Sequence, residues 1–180
     1  MPDALWGQSL DEFCESVADR KPAPAGVASA SVSAAIGISL LIKALRITGG
    51  QNERIKAAQA RIAELRKAAS DDVRAVKKFI ASDDPELIED AIQIPLRAAR
   101  ATASGLDLCF KASNSVTGLL AADVGVAAIL IRAATRAILA CVDANVRMVG
   151  PKCDPAILEE RGRLEEHATR TYERVMDALR

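Results

Sequence analysis

Three places in this chain of 180 residues could do chemistry: two carboxylate positions and one helix start. Asp71 and Asp72 stand side by side in a stretch where Ile55, Ala58, Ile62, Leu65, Ala69, Val73 and Val76 recur at threes and fours, the period of a helix with one packed face. A carboxylate turned into such a face can take or give a proton, whereas one turned outward is only hydrated. Spacing leaves both readings open, with Asp72 nearer the apolar stripe. Asp123 stands in the first turns of a second apolar helix, where the helix dipole favours a negative charge; that is ordinary capping electrostatics unless a ligand lies nearby. The third place is Pro22-Ala-Pro-Ala-Gly26. Prolines 22 and 24 disfavour helix just before them, and Gly26 allows a tight turn. The first N–H groups of the helix that follows have no carbonyl of their own and can hold an anionic or carbonyl oxygen.

Other residue types carry less. His167 is the only histidine and sits among Arg163, Glu165 and Glu166, a hydrated helix surface. Cys14, Cys109, Cys141 and Cys153 have no C-x-x-C spacing and no leader before them, so they read as reduced thiols of a cytoplasmic protein. One histidine and four scattered cysteines do not make a zinc site, and no metal or prosthetic cofactor is expected. With 24 basic and 24 acidic residues the net charge is zero, and aromatics are 3%. A nucleic-acid partner would need a basic face and stacking rings. The uncharged run from Pro22 to Ile42 is long enough to span a membrane, yet its four serines and many alanines make it weakly apolar, and a bundle core is the preferred reading.

The elements that must position these residues are all helical. Excess alanine and few aromatics favour helix throughout, and the length suits one domain, residues 1–180. Ser9 and Glu12 form a capping-box pattern for a first helix from Leu10 to about Asp19, burying Leu10, Phe13 and Val17. The proline turn leads into a helix through Leu45, whose small residues (Ser29, Ser33, Gly37, Ala44) let another backbone approach closely. Gly49 closes it. A long helix spans about Asn52 to Ala81, and Asp83, Asp84 and Pro85 stop and restart the chain. The next runs to about Ala112, with Pro95 freeing a carbonyl near Ala91, either for packing or for a ligand. A fifth begins at Leu119 or Leu120 and carries a stripe through Val149; after Gly150-Pro151 the last runs from Ala156 to near Leu179. The fold class is an all-α, antiparallel bundle of five to six helices.

The segment PAPAGVASASVSAAIGISL resembles the proline-and-glycine turn and small-residue helix that open the cyclodeaminase/cyclohydrolase family of folate one-carbon enzymes. Ala122-Asp123-Val124-Gly125-Val126-Ala127-Ala128 is similar to the family's Ser-Asp-x-Gly-Val-Ala-Ala segment. Ile94-Pro95-Leu96 matches its Val-Pro-Leu, Asp71-Asp72 falls at its acidic pair, and Asn145 and Arg147 stand where it has Asn and Lys. The chain departs from the pattern too: Ala25, Val27 and Ala28 replace two turn glycines and a serine, and Ile47-Thr48-Gly49-Gly50-Gln51 replaces a lysine-rich segment.

The resemblance implies a homodimer that binds a small-molecule folate near the subunit contact. Its expected activity is cyclohydrolase: a tetrahydrofolate derivative as substrate, water adding to the methenyl carbon, and the ring opening to the formyl product. A cyclodeaminase that releases ammonia is the alternative, as is a folate-binding or structural dimer without turnover. Asp123 is the implied catalytic carboxylate, with Asp72 as second acid. Pro24, Gly26 and Asn145 are implied to bind substrate, and Lys43, Arg46 or Arg147 to meet its glutamate tail.

Overall fold

The computed structural model describes residues 5–81, 86–150 and 153–180, and among them are six helices and no strand. These are α1 (Leu10–Ala18), α2 (Gly26–Thr48), α3 (Asn52–Ala81), α4 (Glu86–Ser113), α5 (Leu119–Val149) and α6 (Pro155–Ala178). Helices α2 to α5 run up and down in turn, each packed on the next, and α2 closes the ring against α5. Helix α6 lies across α4 and α5, pinned by Arg100–Glu160, Arg161–Asp143 and His167–Asp107. The Asp83, Asp84 and Pro85 restart and the Pro151 break lie outside the described residues.

Helix ends follow local chemistry. Ser9 Oγ accepts from Glu12 N at 3.2 Å and the Glu12 carboxylate accepts from Ser9 N at 2.7 Å, the reciprocal pairing of a capping box. Gly49 and Gly150 take φ of 76° and 64° as they end α2 and α5, a region L side chains avoid. Asp154 Oδ1 accepts from Ala156 N at 2.9 Å and starts α6.

The core is aliphatic, with Ile38, Leu41, Leu45, Leu65, Leu96, Leu106, Ile131, Ile138 and Leu139 fully buried, each worth roughly 1.5–3 kcal/mol in transfer from water. Helices α2 and α5 are both long and apolar enough to cross a membrane, but half or more of each apolar window is buried against other helices, as core helices are. Helix α1 departs from expectation. None of its residues is buried, Leu10 is 66% exposed, and Phe13 is only half-buried. Its attachment is made just before it, where Trp6 Nε1–H donates to Arg66 O at 3.2 Å and the Arg66 guanidinium covers the indole ring.

The tightest approach in the bundle is α2 against α5. A Cβ added at Gly37 would lie 3.0 Å from the Ala127 carbonyl oxygen and 3.0 Å from Ile131 Cγ1. Gly37→Ala is therefore expected to destabilise by roughly 1–3 kcal/mol by overpacking, despite alanine's higher helix propensity. Gly162→Ala on α6, where nothing lies within 4 Å, gains that propensity without a clash and should stabilise by up to about 1 kcal/mol. Urea unfolding of both variants measures the contrast.

Candidate functional site

A cleft of about 500 Å³ opens at the end of the ring where α2 begins and α5 finishes. Its walls are apolar: Ala25, Val27, Ala75, Val76, Ala91 and Met148. Three polar side chains interrupt them, Asp72 from α3 and Cys141 and Asn145 from α5. Helical spacing explains the set, since 72, 75 and 76 share one face of α3, and 141, 145 and 148 share one face of α5.

Asp72 is the ionisable group best placed to act here. It is 8% exposed and accepts a hydrogen bond from the Ala28 backbone N–H in the first turn of α2. Ala25, at the N-cap position, makes no side-chain cap bond, so a carboxylate from a neighbouring helix takes a task usually done by a local serine or aspartate. Burial pushes the Asp72 carboxyl up to about 6, against the downward pull of the Ala28 N–H. Its neighbour Asp71 faces the other way. Burial works to raise it as well, but Lys67, Arg74 and Arg97 overcome that and hold it below the ordinary value. Adjacent residues on one helix thus differ in proton affinity because one meets an apolar cleft and the other three cations.

Gly26 is required for a reason other than backbone freedom. Its φ is not positive; instead a Cβ there would meet Cys141 Sγ at 2.8 Å. The glycine lets the start of α2 sit against α5, which aims the N–H groups of the first turn at the cleft. Burial, then the Asp72 charge, raises the Cys141 thiol, so it stays neutral. The carbonyl freed by Pro95 does not face a ligand: Asn145 Nδ2 donates to Ala91 O at 2.6 Å.

The sequence-derived residues divide into two groups. Gly26, Asp72 and Asn145 line the cleft, Pro24 is two residues from Gly26 and half-buried, and exposed Arg147 lies between the lining residues Asn145 and Met148. Asp123 and Lys43 are elsewhere, paired with each other at 2.8 Å, and Arg46 is exposed on the next turn of α2. The helix from Asp123 to Cys141 is about 27 Å long, so the implied catalytic Asp123 and the implied binding residue Gly26 do not share one cleft within a chain. Antiparallel packing of α2 on α5 imposes that separation. Cys141 and Met148 were missed, although their spacing from Asn145 would have revealed them.

A family model described as formiminotransferase-cyclodeaminase matches residues 9–160. Among solved structures, the formiminotetrahydrofolate cyclodeaminase of Thermotoga maritima is similar over 97% of this chain and 96% of its own, with 25% identity and a TM-score of 0.91. No curated protein matches. The family model and the solved relative both bear the cyclodeaminase description, which overturns the cyclohydrolase expectation and the hydrolase class with it.

A carboxylate held at high proton affinity costs stability once ionised. Because its folded value of about 6 lies above its ordinary 3.8, Asp72 favours the fold fully below the ordinary value, and that support is lost as pH rises through about 6. Asp72→Asn keeps an oxygen for the Ala28 N–H without the charge. The variant is expected to be more stable than the parent by up to about 3 kcal/mol at pH 7.5, with the gap closing towards pH 4, as thermal melts across that range would show.

Proposed function

We propose, because this chain belongs to the formiminotransferase-cyclodeaminase family, that its cleft closes the ring of formiminotetrahydrofolate and releases ammonia. In the protonated substrate the formimino carbon on N5 is electrophilic and N10 lies one ring-closure away. N10 adds to that carbon, forming the new C–N bond. Asp72 as carboxylate takes the N10 proton and returns it to the departing nitrogen, which leaves as ammonia with its bonding electron pair. A cationic methenyl bridge remains, and no water is consumed.

The observation that carries this reading is Asp72, buried in an apolar cleft beneath the start of α2. An affinity near pH 6 suits a group that must both accept and return a proton in neutral solution. The apolar walls support it too, since water in contact with the methenyl bridge would reopen it. The Gly26 and Val27 N–H groups, at the positive end of α2, are suited to the pterin carbonyl.

Asp123 enters through a second copy. The face shared by α2 and α5 leaves Ile36, Val126 and Ile129 exposed at 52%, 46% and 46%, beside the Lys43–Asp123 pair, and a two-fold partner would bury them. Packed antiparallel, the homodimer brings the Asp123 end of one copy to the Gly26 end of the other. Asp123 then stabilises the developing positive charge in the partner's cleft.

Incubation with formiminotetrahydrofolate is expected to yield one ammonia per methenyl product formed. Asp72→Asn should lower kcat by about 10²–10⁴-fold. In the parent, kcat/KM should rise with pH through about 6, as the base form appears, and this limb should be absent in the variant. Asp72→Asn and Asp123→Asn, each strongly impaired alone, should regain turnover when unfolded and refolded together. Failure to complement would place Asp123 outside the reaction.

A further inference from the structure

Asn145 is held by a bond that also decides which way its amide faces. Its Nδ2 donates to Ala91 O at 2.6 Å, and a carbonyl oxygen only accepts, so the amide nitrogen is the atom on that side. Turning the amide over would set Oδ1 against the Ala91 oxygen, two acceptors at hydrogen-bond distance with no proton between them. Ala91 O is open to this bond because Pro95, four residues further along α4, has no N–H to give it.

Both Ala91 and Asn145 line the cleft, and Oδ1 is left on the side away from Ala91. Among the described residues none donates to Asn145 Oδ1. The unpartnered side-chain polar atoms sealed from solvent among these residues are Ser31 Oγ and Arg132 Nη1; Asn145 Oδ1 is not one of them, and it opens on the cleft. The cleft therefore presents two acceptors, the Asp72 carboxylate and the Asn145 amide oxygen. Cys141, which feels the Asp72 charge, is one turn of α5 from Asn145, a rise of about 6 Å.

We propose that Asn145 Oδ1 is the atom by which this site distinguishes a formimino group from a formyl group on N5. The proposal rests on the folate reading above and adds to it how the substrate is told from a near-isostere. The two groups match in size and shape. One ends in a protonated nitrogen with two N–H donors, the other in an oxygen that only accepts. With N10 at Asp72, the formimino nitrogen donates one N–H to Asn145 Oδ1, a charge-assisted bond, and its other side stays open to Asp72. A formyl oxygen in the same place meets Oδ1 acceptor to acceptor, and both are left unsatisfied. Discrimination then comes from polarity, where shape offers none.

The test measures KM for formiminotetrahydrofolate and the inhibition constant of 5-formyltetrahydrofolate in the full-length parent, Asn145→Ala and Asn145→Asp. Circular dichroism melts establish that each variant is folded. Both substitutions lose the bond to Ala91 O, but only alanine loses the acceptor. The preference that Asp72 itself has for a cation is common to all three proteins. The expected ratio of inhibition constant to KM falls about tenfold in Asn145→Ala and stays at or above the parent's in Asn145→Asp. A residue that only ties α5 to α4 would raise both constants together and leave the ratio alone, so the alanine variant decides even if the aspartate variant does not fold. An unchanged ratio in Asn145→Ala, or an equal fall in both variants, would overturn the assignment while leaving the cyclodeaminase reading in place. A parent that neither turns over formiminotetrahydrofolate nor binds 5-formyltetrahydrofolate in calorimetry would remove that reading, and this selectivity with it.

Discussion

The contact between Asp72 and the first turn of α2 is the constraint on which the rest of the site depends. It joins an acid to the positive end of a helix whose own N-cap residue supplies no acceptor. Two opposing effects meet at that carboxylate: an N–H donor that favours its charge and apolar surroundings that oppose it. The surroundings win, and the group is left near pH 6 rather than in the range of an exposed aspartate. Remove the cleft and Asp72 becomes an ordinary cap; remove the cap and it becomes an unpaired buried acid.

This balance requires α2 to begin in the right place, which is decided along its whole length against α5. Gly37 brings the helices to backbone contact at mid-length, and Gly26 leaves room for the Cys141 sulfur at the cleft. The cap for α2 therefore comes from α3, while the spacing that makes the cap meaningful comes from α5. A bundle built this way ties its reactive end to packing in its interior, with no long loop to position any of the groups.

The helices were legible because their signals are local. The capping box at Ser9, the glycines after α2 and after α5, and the threes-and-fours stripe on α3 each need only neighbours in sequence, and the observed helices follow them closely. Asp72 could be favoured over Asp71 for the same reason, by its place beside an apolar stripe. What could not be read was anything that required knowing which helix lies against which. The resemblance placed Asp123 and Gly26 in one site, but antiparallel packing of α2 on α5 puts the starts of those helices at opposite ends. The hydrophobic side of α1 promised burial, yet a period of 3.6 says only that a helix has two faces, and this one leaves Leu10 largely exposed. Cys141 looked inert as a lone thiol, and only its distance from Gly26 explains the residue opposite.

The ring nitrogen of Pro95 has no hydrogen to offer Ala91, and the amide of Asn145 supplies one in its place. An ordinary residue at position 95 would restore the ladder bond of α4 and compete with that amide for the same oxygen. Asn145 would then be released to turn towards whatever occupies the cleft. An imino acid on one helix thus governs how many hydrogen-bond donors another helix presents, and the polarity of the recess is set from a position that does not line it.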